Sequence, residues 1–215
     1  MTHVIFWGAT GQARVLREAL LNQASLVALF DNRAIASPFP DVPIYTGEEG
    51  FLQWQERTSP SHKMHACVAI GGSHGRDRLA RMEWLQNRGH APLRVIHTTA
   101  FLAEDACLGD GCQILAMSAV CANAQLGRAV IINTKASVDH DCVIGDGVHI
   151  GPGATLAGQV TVNAFAFIGA GATILPGLSI GESAIIGAGA VVTRNIAAGQ
   201  TVIGNPARPL TRISP

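Results

Sequence analysis

From Ile96 to Val192 an aliphatic side chain recurs at every sixth position without a break: Ile96, Leu102, Leu108, Ile114, Val120, Leu126, Ile132, Val138, Ile144, Ile150, Leu156, Val162, Ile168, Ile174, Ile180, Ile186, Val192. Four residues after most of these stands a small one, as at Ala106, Cys112, Ser118, Ala124, Ala136, Cys142, Ala154, Ala166, Ala172, Ala184 and Ala190. A period of six suits neither a helix nor an alternating strand. It fits a parallel β-helix whose short strands turn a corner every six residues. Three hexads close a triangular coil of eighteen residues. Coils then stack at about 4.8 Å, so residues eighteen apart lie above one another. The large aliphatic fills the prism and the small residue fits the corner. Glycine often follows the aliphatic (Gly109, Gly127, Gly145, Gly151, Gly169, Gly181, Gly187), as turns that need unusual dihedrals require. No insertion interrupts the register.

Before Ile96 the pattern changes to alternating strand and helix. Strands are predicted over 3–7, 26–30 and 66–70, and helices over 12–21 and 76–88. That order implies a small parallel α/β sheet. The chain thus divides into an α/β domain, 1–95, and a β-helix domain with a C-terminal tail, 96–215. Segments 34–43 and 58–63, rich in Pro and Ser, read as surface loops. Two strand ends carry chemistry. Gly8-Ala9-Thr10-Gly11 opens the first helix and presents backbone amides to a phosphate. Asp31-Asn32 ends the second strand, where a carboxylate can reach sugar or base hydroxyls, and Gly71-Gly72 closes a later one.

Composition narrows the partners. With 15 basic and 15 acidic residues the formal net charge is +0, which disfavours nonspecific nucleic-acid or acidic-membrane binding. No apolar run is long enough to span a membrane and no signal-peptide pattern opens the chain, so the protein reads as soluble and cytoplasmic. Five cysteines without CxxC spacing fit reduced thiols rather than a disulfide framework, and no metal site is expected. The solvent-side positions of the repeat are mostly Gly, Ala, Asn, Asp or Thr. Against them stand Asn133, His140, Asp141 and His149.

The GATG-opened α/β domain, the unbroken hexapeptide run, the segment Asn133-Thr134-Lys135-Ala136-Ser137-Val138-Asp139-His140-Asp141 and the ending Ile203-Gly204-Asn205-Pro206-Ala207-Arg208 occur here in one order. Together they resemble the bacterial sialic acid O-acetyltransferase and nucleotide-amino-sugar N-acetyltransferase family over the whole chain. The resemblance implies a left-handed β-helix, an exception to the usual crossover handedness, and a homotrimer binding acetyl-CoA between subunits. It makes His140 the general base, Asp141 its acidic neighbour and Gly158 the backbone amide facing the thioester oxygen; Asn133, conspicuous against the plain repeat, is counted with these as a catalytic candidate. His149, Ala170 and Ala188 align with acetyl-CoA contacts. Thr10, Gly11, Gln12, Asp31, Asn32 and Gly71 align with nucleotide-sugar contacts. Two departures stand out: Gln12-Ala13 follows the second glycine where the family often has Gly-His, and Asn32 replaces a second acid.

The residues themselves support that chemistry. Acetyl transfer to an amine needs a base and an oxyanion donor, and histidine titrates near neutrality. Gly158 lies eighteen residues after His140, one coil away, whereas Ala170 and Ala188 fall six residues out of phase, at another corner. That phase difference favours a site shared between subunits. Either Asp139 or Asp141 can orient the base. Cys142, in the inward column, is placed to be structural rather than a nucleophile, so direct transfer is expected. The expected activity is acetylation of a nucleotide-linked amino sugar, of the 4-amino-4,6-dideoxy type, for a bacterial surface glycan. Alternatives are O-acetylation of a sialic-acid-like sugar, a noncatalytic sugar-nucleotide-binding solenoid, and redox dinucleotide binding at the GATG turn.

Overall fold

A computed structural model describes residues 2–58 and 64–210. The predicted loop at 58–63 therefore lies, beyond Thr58, outside the described residues. The N-terminal part contains, in order, β1 (Thr2–Trp7), α1 (Gly11–Ala19), β2 (Ala24–Asp31), β3 (Ile44–Thr46), α2 (Gly47–Arg57), β4 (His65–Val68), α3 (Gly75–Gln86) and β5 (Ala91–Pro92). These five strands form one parallel sheet in the order β3-β2-β1-β4-β5. The order reverses at β1 and β4, and their carboxyl ends open a crevice of the kind that binds ligands in such sheets.

The pair β3 and α2 was absent from the sequence-based expectation. β3 has only three residues, and α2 buries only Phe51 and Trp54, too few to mark a helical stripe. Tertiary packing supplies what periodicity lacks. Phe51 and Trp54 join Trp7, Phe30 and Trp84 in an aromatic core with centroid separations from 5.0 to 6.1 Å.

From Val95–Ile96 to Val191–Val192 every hexad forms one two-residue strand ending on its column aliphatic. Strands pair with those eighteen residues away, as in Ser137↔Thr155 and His149↔Phe167. The result is a left-handed parallel β-helix with three faces. The first carries residues 95–96, 113–114, 131–132, 149–150, 167–168 and 185–186; the second runs from 101–102 to 191–192; the third runs from 107–108 to 179–180. The aliphatic column and the small column share one buried core, with Ile150, Leu156, Ala154 and Cys142 all at 0% exposure.

The glycines that follow the aliphatics serve a different purpose from the one expected. None of Gly109, Gly127, Gly145, Gly151, Gly169, Gly181 and Gly187 has positive φ. A Cβ on Gly151 would instead come within 2.6 Å of Ile168 O, and one on Gly145 within 2.6 Å of Ala164 N. Close approach of the next coil excludes a side chain there. The left-handed residue comes two positions later, at column plus three, from Gly111 through Asn123, Lys135, Asp141 and Phe165 to Gly189.

The α/β part sits on the first face of the prism. Val95, Leu115 and Ile131 of the coil pack with Val4, Phe6, Leu16 and Leu29. Arg78 of α3 fastens the seam. It is fully buried, and its guanidinium donates to Ile70 O at 2.8 Å, Ala129 O at 2.8 Å and Gly147 O at 2.7 Å. Desolvation lowers its pKa to about 10, so it keeps its charge at neutral pH. No helix among the described residues is long and apolar enough to cross a membrane.

Candidate active site

At the carboxyl ends of β1 and β4 a cleft of about 940 Å³ is lined by Thr10, Gly11, Gln12, Asp31, Asn32 and Gly71, together with His149 from the coil. All six N-terminal residues singled out in the sequence therefore face one cavity. α1 begins at its rim, and Thr10 at the N-cap makes no side-chain capping bond. The first turn of α1 thus borders the cleft through Gly11 and Gln12, with no capping bond from that side chain to its amides. Asp31 behaves differently from the expectation of a carboxylate free to meet hydroxyls. It is buried, accepts from Ala9 N at 3.1 Å, and pairs with Arg33 through Nε at 2.9 Å and the second terminal nitrogen at 3.1 Å. Burial pushes its pKa up, but the bonds from Arg33 and Ala9 outweigh this and hold it below the ordinary value. Arg33 was not anticipated; its guanidinium is exposed at the cleft and presents a cation there.

A second constellation lies at the edge between the second and third faces, in the turn between Ser137–Val138 and Val143–Ile144. Asp141 there has φ 57°, a conformation that Asp tolerates better than most residues. This bend brings adjacent side chains together, and Asp141 Oδ2 lies 2.7 Å from His140 Nδ1. Asp139 has another partner: its carboxylate accepts from the His140 backbone N–H at 2.7 Å. Of the two acids, it is Asp141 that meets the His140 ring. The Asp141 hydrogen bond raises the His140 pKa, against a smaller lowering by desolvation. In turn the His140 bond, and another from Asn123 Nδ2 at 2.7 Å, lower that of Asp141. Asn123 also escaped notice, although it stands eighteen residues before Asp141, directly below it in the stack.

The opposite ring nitrogen of His140 faces Gly158. A Cβ at Gly158 would lie 2.4 Å from His140 Nε2, so only glycine leaves room for the ring. Gly158 O accepts from Gly177 N at 3.0 Å and Gln159 N donates to His140 O at 2.9 Å. Among the described residues, the N–H of Gly158 itself makes no ladder bond. Cys142, two residues from His140, is buried and donates through Sγ to Ala157 O at 3.2 Å. Desolvation raises its pKa, which disfavours the reactive thiolate.

Asn133 and His149 form a third group, under the cleft rather than beside His140. Asn133 Oδ1 accepts from Thr134 N at 2.8 Å, which turns its Nδ2 toward His149 Nε2 at 3.1 Å. Nδ1 of His149 faces Gly72 O at 3.3 Å. A donor beside Nε2 and a carbonyl beside Nδ1 together select the neutral Nδ1–H tautomer. Burial, helped by the charge of Arg78, lowers the His149 pKa to about 4, so the ring is neutral at physiological pH. Ala170 and Ala188 stack at the edge between the first and second faces, where Gly189 N donates to Ala170 O at 2.8 Å. The structure therefore gathers His140, Asp141 and Gly158 in one place, and Asn133 and His149 in another. Among the described residues, no group of three or more His, Cys, Asp or Glu is placed to hold a metal.

The β-helix matches the family model for bacterial transferase hexapeptide (six repeats) at residues 123–158 and 159–194. Across the whole chain the fold matches PerB from Caulobacter crescentus, solved in complex with CoA and GDP-perosamine. Identity is 32%, the TM-score 0.88, and 98% of each chain is covered. The chain belongs to the hexapeptide-repeat family of nucleotide-amino-sugar N-acetyltransferases and sialic acid O-acetyltransferases. The acetyltransferase domain of PglB from Neisseria gonorrhoeae FA1090, in complex with acetyl coenzyme A, is 32% identical with a TM-score of 0.86, over 97% of this chain and 98% of that one. WeeI from Acinetobacter baumannii AYE is 28% identical with a TM-score of 0.84, over 98% of this chain and all of that one (100%). As a member of this family the chain is an acetyltransferase.

Proposed function

We propose that this chain transfers the acetyl group of acetyl-CoA directly to the amine of a nucleotide-linked amino sugar, of the 4-amino-4,6-dideoxy type, in the synthesis of a bacterial surface glycan. The observation that carries the reading is the His140 corner, a base oriented from behind by Asp141 with its free nitrogen over Gly158. Acetyl-CoA supplies an acetyl group activated as a thioester. His140 Nε2 takes a proton from the amine as nitrogen attacks, and the resulting imidazolium is stabilised by Asp141. The N–H of Gly158 donates to the oxygen that gains negative charge. His140 then returns the proton to the departing thiolate. Cys142, buried and protonated, takes no part, and no acetyl-enzyme forms. In this reading Ala170, Ala188 and His149 contact the coenzyme, as the family resemblance suggests.

The nucleotide sugar occupies the N-terminal cleft, a placement supported by the α1 amides, Arg33 and the six lining residues named above. In a single chain that cleft lies over the first face, whereas His140 lies on the opposite edge of the prism. The base that serves a given cleft is therefore assigned to a neighbouring copy, in a trimer. PerB, with GDP-perosamine and CoA bound, is the precedent for the substrate class. Thiol release from acetyl-CoA, measured with GDP-, UDP- and dTDP-linked 4-amino sugars, tests the reading. Release with at least one of them, giving an N-acetyl product by mass spectrometry, is the expected result. Release only with hydroxyl acceptors would move the assignment to O-acetylation, and none with any acceptor would leave a noncatalytic binder.

A further inference from the structure

Gln113 is a buried polar residue on the first face of the coil, 2% exposed, and no step described so far uses it. Its Nε2 donates to Val68 O at 2.8 Å, and its Oε1 accepts from Gln12 Nε2 at 2.6 Å. A backbone carbonyl only accepts, so Val68 dictates which end of the Gln113 amide it meets. Oε1 of Gln113 must then face Gln12, and Gln12 can answer only with its NH₂ group. Glutamine orientation is often ambiguous, but reversing Gln12 here would set two oxygens against each other across a hydrogen-bond distance. The Oε1 of Gln12 is consequently turned away from Gln113, and no donor among the described residues takes it. It lies 3.5 Å from where a side chain on Gly71 would begin, and the same point lies 3.7 Å from His149 Cε1.

We propose that Gln12 presents a fixed hydrogen-bond acceptor to the cleft, held by Gln113 as a positioning residue, and that it meets an O–H or N–H of the sugar rather than an oxygen of the diphosphate. The inference rests on the cleft being a nucleotide-sugar site. At neutral pH a diphosphate linkage offers acceptors alone and is repelled by an amide oxygen, whereas a sugar ring carries several donors. Gln12 thus separates the sugar end of the cleft from the phosphate end.

Calorimetry on the full chain distinguishes the two groups. The probes are GDP-, UDP- and dTDP-linked 4-amino-4,6-dideoxy sugars and, for the nucleoside that binds best, its bare diphosphate. Gln12→Leu is expected to weaken the sugar nucleotide by roughly three- to ten-fold, the loss of one neutral hydrogen bond, while the Kd of the bare diphosphate stays unchanged. Gln113→Leu should reproduce this pattern, and the double variant should bind no more weakly than Gln12→Leu, because Gln113 acts only through Gln12. Thermal melts accompany each variant; if Gln113→Leu does not fold, Gln12→Leu alone decides between sugar and phosphate. Equal weakening of both probes, or of neither, overturns the inference and leaves the cleft assignment standing. A parent chain that binds none of the probes overturns the cleft assignment, and this inference with it.

Discussion

His140 draws its basicity from a neighbour one residue away. The Asp141 hydrogen bond raises the pKa of this exposed histidine above its ordinary value, and Asn123 holds the other Asp141 oxygen in place. A general base works when deprotonated, so if His140 serves as proposed, the acidic limb of kcat/KM is expected above the usual histidine range. Asp141→Asn keeps a residue that tolerates the left-handed turn but removes the charge. The limb should move to lower pH in that variant, and a pH–rate profile of kcat/KM checks it; an unmoved limb would show that Asp141 does not set the base. The stacking of Gly158 on His140 was legible in the sequence because they are one coil apart, whereas the roles proposed for them came from the family resemblance. The choice of Asp141 over Asp139 was not, since it depends on a backbone dihedral that no spacing reveals.

The turn, repeated at every corner, is the unit on which the proposed chemistry rests. Column plus one must lack bulk where the next coil comes close, and column plus three must accept a left-handed backbone. Column plus two is free to vary: it is Ala122, His140, Gly158 and Pro176 along one edge. Because other side chains occur at this position, Gly158→Ala should fold with a nearly unchanged Tm. Its methyl would nevertheless overlap the His140 ring, and displacing a base from its working position commonly costs on the order of 10²-fold in turnover. Normal turnover in that variant would contradict the stacked arrangement. The repeat was readable because each hexad restates the same rule seventeen times. β3 and α2 were not, because two buried aromatics, Phe51 and Trp54, state theirs only once. The roles of Gln113 and Arg78 were hidden for a related reason. Each acts across the seam between the two parts of the chain, where neither period applies.

At the scale of the molecule, the α/β part packs on one face of the prism while His140, the proposed base, stands on the edge opposite. Arg78, Gln113 and His149 join that part to the coil through hydrogen bonds to Gly147 O, Val68 O and Gly72 O, which hold the cleft over the first face. Under the proposed function a complete site requires two copies, the cleft of one and His140 of another. Mixing two inactive variants measures this directly. His140→Ala chains keep the cleft and lose the base, and Gly71→Phe chains keep the base and fill the cleft beside Gln12. Each should be inactive as a pure trimer. After co-refolding or subunit exchange, confirmed by native mass spectrometry, the mixture should recover acetyl transfer to the nucleotide sugar, because hybrid trimers contain an intact cleft facing an intact base. Mixed trimers that form and stay inactive would contradict a site shared between copies.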